Sequence, residues 1–239
     1  MELIKPILEK LKTSESEHPS HCSFQHDCVD CLDTGWIIIE GRGAKWCYCL
    51  KSKINARLLN RIPPEYRRFT LENILPDPSR HEKQIDLFAC IAANPSMSLL
   101  LSGKVGCGKS LVGWLLYRQA IEDERPAIAL PLAELLAQFK RYECGGEVPA
   151  LTAENLRTDK QRWFIFLDEF EKARPSEFSS EQLFLLMDAI YTYRHQLVIT
   201  SNCDKDGLRA HWSQASDQYG VSIMRRLLEL DGIVSVDLF

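Results

Sequence analysis

The octet Gly103-Lys104-Val105-Gly106-Cys107-Gly108-Lys109-Ser110 constrains the fold of this chain more than any other stretch. It fits G-x-x-x-x-G-K-[ST], follows the apolar run Ser98-Leu99-Leu100-Leu101 and opens into an amphipathic segment, the strand-loop-helix setting that the pattern requires. Its glycines let the backbone turn tightly, so that successive N–H groups and the next helix N-terminus face phosphate oxygens. The expected nucleotide cradle is therefore Gly103, Lys104, Val105, Gly106, Cys107, Gly108, Lys109, Ser110 and Leu111. Lys109 is expected to neutralise the β- and γ-phosphates of ATP, and Ser110 to ligate Mg²⁺.

Such a loop belongs to an α/β chain, and the pattern from about Glu82 onward agrees. Apolar runs at Met97 to Leu101, Ala127 to Leu130, Trp163 to Leu167, Leu197 to Thr200 and Ile233 to Val236 read as about five strands. Between them, Ser110 to Ile121, Leu132 to Tyr142, Ser180 to Tyr193 and Ser222 to Leu230 read as helices. That alternation predicts a doubly wound parallel sheet covered on both faces. The run Trp163-Phe164-Ile165-Phe166-Leu167 ends in Asp168-Glu169. Two adjacent acids at the end of a buried strand need a metal or a proton to handle. Asp168 suits the Mg²⁺ shell, and Glu169 suits orienting and deprotonating an attacking water, which favours hydrolysis over transfer to a substrate hydroxyl. A third strand ends in Thr200-Ser201-Asn202, where Asn202 is expected to hold the lytic water or the γ-phosphate.

The 239 residues carry nine cysteines, five of them at Cys22, Cys28, Cys31, Cys47 and Cys49. In a reducing compartment such clustering reads as a metal site rather than as disulfides. Cys28-x-x-Cys31 and Cys47-x-Cys49 offer two thiolate pairs for a closed tetrahedral zinc site, with Gly35 and the strand Trp36 to Ile39 between them. Cys22, His21 and His26 are alternative ligands. The expected organisation is an amphipathic arm and linker over 1–20, a zinc module over 21–50, a basic connector over 51–80 and the α/β domain over 81–239. A net charge of −4 means that any nucleic-acid contact must come from a local basic patch. The start of the chain has acids among its lysines and no long apolar stretch, so no signal peptide or membrane span is expected, and the location is read as cytoplasmic.

The order P-loop, Leu167-Asp168-Glu169, Thr200-Ser201-Asn202, then Met224-Arg225-Arg226-Leu227 resembles the DnaC/DnaI/IstB group of AAA+ (ASCE) P-loop ATPases over about residues 60 to 239. Asp168-Glu169-Phe170-Glu171-Lys172, Glu181-Gln182-Leu183-Phe184 and Asp188-Ala189-Ile190-Tyr191 carry the likeness further. The segment from Cys47-Tyr48-Cys49 to Ile62-Pro63-Pro64-Glu65-Tyr66 resembles the cysteine-rich module and Ile-Pro segment of the helicase loaders. The resemblance implies that Asn202 is the sensor-1 residue and that Arg226, with Arg225 as a substitute, is an arginine finger reaching a neighbouring subunit's ATP. It implies an oligomer-dependent ATPase that associates with itself on ATP binding. It further implies a loader that grips a DnaB-like replicative helicase through its N-terminal region and holds single-stranded DNA through the ATPase assembly. An IstB-like transposition helper acting on duplex DNA is the alternative. No C-terminal lid domain is expected, because the chain stops soon after its last strand.

Overall fold

The computed structural model describes residues 27–39, 43–70, 73, 82–214, 217–229 and 234–237. The expected arm over 1–20 and the alternative ligands Cys22, His21 and His26 lie outside these residues. So do the expected last residue of the final helix, Leu230, and the expected first residue of the final strand, Ile233. The chain divides into two compact units, Met1–Ile54 and Asn55–Phe239.

In the first unit, β1 (Trp36–Ile39) pairs antiparallel with β2 (Gly43–Trp46), in the register Trp36 opposite Trp46 and Ile38 opposite Ala44. The two indoles meet edge to face with their centroids 5.6 Å apart. A two-stranded ribbon of this length buries too little to hold itself together and needs a staple. Helix α1 (Tyr48–Leu59) follows at once and runs through residue 50, where the module and the connector were expected to meet.

The second unit is built on five parallel strands, β3 (Leu99–Ser102), β4 (Ala127–Pro131), β5 (Phe164–Asp168), β6 (Gln196–Ser201) and β7 (Val234–Asp237), in the order β4-β5-β6-β3-β7. The central strands read as unbroken apolar runs because helices cover both of their faces. Alternation along each strand feeds two cores. Leu100, Ile165, Leu167, Leu197 and Ile199 face one side, packed with α4 (Leu132–Glu143), α6 (Glu177–Thr192), α7 (Lys205–Ser213) and α8 (Asp217–Glu229). Leu99, Leu101, Phe164, Phe166 and Val198 face the other, packed with α2 (Glu82–Ala93) and α3 (Lys109–Glu122). A short helix, α5 (Ala153–Thr158), precedes β5. Among the described residues, no helix is long and apolar enough to cross a membrane.

The approach of α3 to the sheet requires Gly113. A Cβ there would lie 2.3 Å from Phe166 Cζ, and the Phe166 ring is itself held edge to face against Trp114 at 5.4 Å. A glycine within a helix is otherwise unfavourable, so close packing accounts for this one.

Candidate functional site

The P-loop spans the carboxyl end of β3 and the start of α3. Gly106 (φ 85°) and Gly108 (φ 94°) occupy the left-handed region, which side chains adopt only with strain. Gly103 N–H donates to the Ser201 carbonyl at 3.2 Å, tying the loop to the end of β6. The sheet order then does the rest, since β6 lies between β3 and β5 and brings Asp168, Thr200 and Asn202 beside the loop.

These residues line a cavity of about 390 Å³. Asp168 Oδ1 accepts from the Ser110 hydroxyl at 3.1 Å, from the Glu169 N–H at 3.2 Å and from the Thr200 hydroxyl. The Lys109 ammonium is buried and donates to the Gly103 carbonyl at 2.6 Å, the Lys104 carbonyl at 2.9 Å and Asn202 Oδ1 at 3.1 Å. Asn202 Nδ2 in turn donates to Glu171 Oε1 at 2.6 Å. A hydrogen-bonded chain therefore runs from Lys109 through Asn202 to Glu171. Glu169 has a left-handed backbone (φ 54°) and its carboxylate pairs with the Lys172 ammonium; that hydrogen bond raises the Lys172 pKa.

Thus Lys109, Ser110, Asp168, Glu169 and Asn202 converge on one cavity, together with Val105, Gly106, Gly108 and Leu111. Lys104 and Cys107 belong to the same loop, joined by the Cys107 N–H to Lys104 carbonyl bond at 3.3 Å. Arg226 is not among the residues that line the cavity. Its guanidinium pairs with Asp188 Oδ1 at 3.1 Å and lies 4.8 Å over the Tyr191 ring, on the surface formed by α6 and α8; Arg225 beside it is exposed.

Five lining residues were not expected from the sequence as site residues: Tyr66, Glu171, Lys172, Thr200 and Ser201. Thr200 was detectable as the one polar side chain near the end of the run Leu197 to Thr200, and Glu171 as the third acid in Asp168-Glu169-Phe170-Glu171. Tyr66 comes from outside the sheet, and burial, with the charges of Glu65 and Asp168, raises its phenol pKa. One oxygen of Glu171, Oε2, is buried without a hydrogen-bond partner.

The second cluster lies in the first unit. The Sγ atoms of Cys28, Cys31, Cys47 and Cys49 all fall within 4.8 Å of one another, with Cys28–Cys47 at 3.7 Å and Cys31–Cys49 at 3.3 Å. A tetrahedral zinc with bonds of about 2.3 Å sets its sulfurs about 3.8 Å apart, so the four thiols fit that ion. The turn from Cys28 to Gly35 carries Leu32 and Asp33 at positive φ, held by the Asp33 carboxylate accepting the Cys28 N–H at 3.0 Å. Cys47 N–H donates to the Gly35 carbonyl at 2.8 Å, and a Cβ on Gly35 would press on Leu50 Cδ2 at 2.9 Å. Burial pushes the Cys31 thiol up, but hydrogen bonds from Cys49, the Gly35 amide, Cys28 and Cys47 outweigh it and bring it down to about 7. Pairing with Cys31, followed by burial, pushes Cys49 up to about 12. A proton-sharing thiol cluster of this kind is a site for a cation that displaces protons.

No protein-family model matches the chain, and no curated protein matches its sequence. Solved structures do. A crystal structure of DnaI superposes with a TM-score of 0.56 at 15% identity, over 74% of this chain and 94% of that one. A crystal structure of the DnaC helicase loader superposes at 0.56 and 16%, over 73% of this chain and 99% of that one. AMPPCP-bound DnaA from Aquifex aeolicus superposes at 0.54 and 14%, over 73% of this chain and half (50%) of that one. At these identities the likeness is one of fold: the chain shares the fold of the DnaI and DnaC structures, carries its P-loop at the carboxyl end of the sheet, and has a four-cysteine cluster at Cys28, Cys31, Cys47 and Cys49.

Proposed function

We propose that the chain is an ATP-hydrolysing loader of a replicative, DnaB-like DNA helicase. The observation that carries the reading is the convergence of Lys109, Ser110, Asp168, Glu169 and Asn202 on one cavity in a DnaC/DnaI-type fold. Lys109 exchanges its carbonyl partners for the β- and γ-phosphates. Ser110 and Asp168, already within hydrogen-bond reach of each other, are the residues that would hold Mg²⁺, which would supply positive charge against that developing on the phosphates. Glu169 leaves Lys172 and accepts a proton from the attacking water, which Asn202 helps to hold in line. Arg226, away from its own chain's cavity, completes the site of a neighbouring copy in an ATP-dependent oligomer, with Arg225 as the substitute.

The ATPase domain, over 81–239, holds single-stranded DNA in that assembly, and the N-terminal module, over 21–50, holds zinc on Cys28, Cys31, Cys47 and Cys49 and grips the helicase. Exposed apolar side chains on the first unit support the second assignment: Ile38 is 84% and Tyr48 78% exposed, with both indoles about half exposed. Replacement of Glu169 tests the chemistry. Glu169→Gln should lower ATP turnover by about 10²- to 10⁴-fold while leaving ATP affinity intact. Turnover at the wild-type rate in that variant removes Glu169 as the base. Assembly on duplex DNA without helicase contact would favour the transposition-helper alternative.

A further inference from the structure

A cavity of about 1000 Å³ in the second unit lies apart from the nucleotide site. Its walls are the stretch from Arg157, at the end of α5, to Arg162 before β5, the stretch from Tyr191, at the end of α6, to His195 before β6, and Ser98 before β3. All three segments lie at the amino ends of parallel strands, whereas the P-loop, Glu169 and Asn202 follow the carboxyl ends. The two sites therefore occupy opposite ends of one sheet.

The chemistry of the walls is one-sided. Arg157, Lys160, Arg162 and Arg194 are exposed there, against one carboxylate, Asp159, in a chain whose net charge is −4. That carboxylate is engaged by neutral donors of its own loop: Oδ1 accepts the Gln161 N–H at 2.9 Å and Oδ2 the Trp163 indole N–H at 3.0 Å. The cations are also positioned. Arg162 donates to the Arg194 carbonyl at 2.8 Å and the Ser96 carbonyl at 3.1 Å, which leaves further N–H groups of its fork for a ligand. Arg194 occupies a left-handed turn (φ 55°) after α6, where glycine is the usual residue, so a charged side chain sits where none is needed for the turn. Buried His195 joins the two loops: one ring nitrogen lies 2.9 Å from the Leu156 carbonyl and the other accepts the Trp163 N–H at 3.1 Å. Tyr193 stacks on His195 with centroids 6.4 Å apart, yet is 47% exposed.

We propose that this cavity binds the sugar-phosphate backbone of single-stranded nucleic acid. The arginines and Lys160 contact phosphates, and Tyr193 is a platform for an unstacked base. Cations spread over two loops match a run of phosphates better than one compact phosphate group. A concave wall with an exposed ring takes a flexible strand rather than the convex surface of a duplex. The proposal rests on the reading that the ATPase domain holds single-stranded DNA, and it assigns that contact a place.

The test is fluorescence anisotropy of a labelled oligothymidylate on the full chain with ATP and Mg²⁺, over a salt series. The double variant Arg157→Gln/Lys160→Gln is expected to bind about tenfold more weakly, with a salt slope smaller by about 1.4, the loss of two single-strand phosphate contacts. Tyr193→Ala is expected to bind about fivefold or more weakly with the slope unchanged. Lys205→Gln/Arg209→Gln on α7 should bind as wild type, and all variants should keep their ATP affinity. If wild type binds the strand while the double variant keeps its affinity and slope, the cavity is excluded and the loader reading survives. If wild type binds no strand in any nucleotide state, both fall. Competition by polyglutamate as effective as by oligothymidylate would overturn the nucleic-acid assignment in favour of an acidic protein.

Discussion

Lys109 and His195 show how single residues are committed at opposite ends of the sheet. Lys109 is buried among oxygens that a phosphate can replace, and Asn202 links it to Glu171. His195 has no such freedom. Its Nδ1 accepts the Trp163 N–H, so Nε2 carries the proton and donates to Leu156, and a second proton would set two N–H groups against each other. Burial lowers its pKa below 6.5; the Leu156 carbonyl and Asp159 oppose that fall, and Arg162 adds to it. Because the folded value lies below the unfolded one, its contribution to stability is fully present above about pH 6.5 and is lost as the pH falls through the folded pKa. The stability gap between wild type and His195→Gln, measured by denaturant unfolding at stepped pH, should therefore narrow below pH 6.5; a constant gap would contradict the neutral assignment. Of the site residues, those in a local pattern were legible, because Gly103 to Ser110 dictates its own backbone. Thr200 was legible as a polar residue ending an apolar run and Glu171 as a third acid, but neither as a site residue, since their place beside Asp168 and Asn202 depends on which strands are neighbours, which no local spacing encodes.

Among the elements, the strands were read within a residue or two because their apolar runs are unbroken. Helices fared unevenly. α6 begins at Glu177 rather than Ser180, because Ser176 and Ser179 form a reciprocal cap that lies upstream of the apolar stripe. α8 begins at Asp217 rather than Ser222. α1 was read as a basic connector, since no residue of it is buried and no apolar stripe marks it. α2, α5, α7 and β2 were not expected as elements at all, being short or without a clear period. Gly113→Ala improves helix propensity by about 1 kcal/mol, but a Cβ 2.3 Å from Phe166 overpacks the core, at a cost of about 1–3 kcal/mol. A net loss of stability in thermal unfolding is the expected result, and a gain would mean that α3 shifts freely. In the first unit, purified protein should carry about one zinc per chain. Its removal by a chelator should unfold the β1–β2 hairpin, read as a change in Trp36 and Trp46 fluorescence; an unchanged signal in metal-free protein would dismiss a structural zinc.

At the scale of the whole molecule, the parallel order β4-β5-β6-β3-β7 was legible as a class but not as an order, because alternation predicts parallel strands without ranking them. The order is what brings the ends of β3, β5 and β6 together as a nucleotide site and leaves Arg226 on the surface of α6 and α8, outside its own chain's cavity. Among the described residues no arginine lines that cavity, and under the proposed function a second copy would supply one, which would couple ATP state to assembly. The most direct test mixes the full chain with the replicative helicase of its own host, ATP and Mg²⁺, and weighs the products by native mass spectrometry. A defined complex, weakened when Ile38→Asp disrupts the exposed face of the first unit, is the predicted result. Absence of any complex in every nucleotide state would contradict the loader reading.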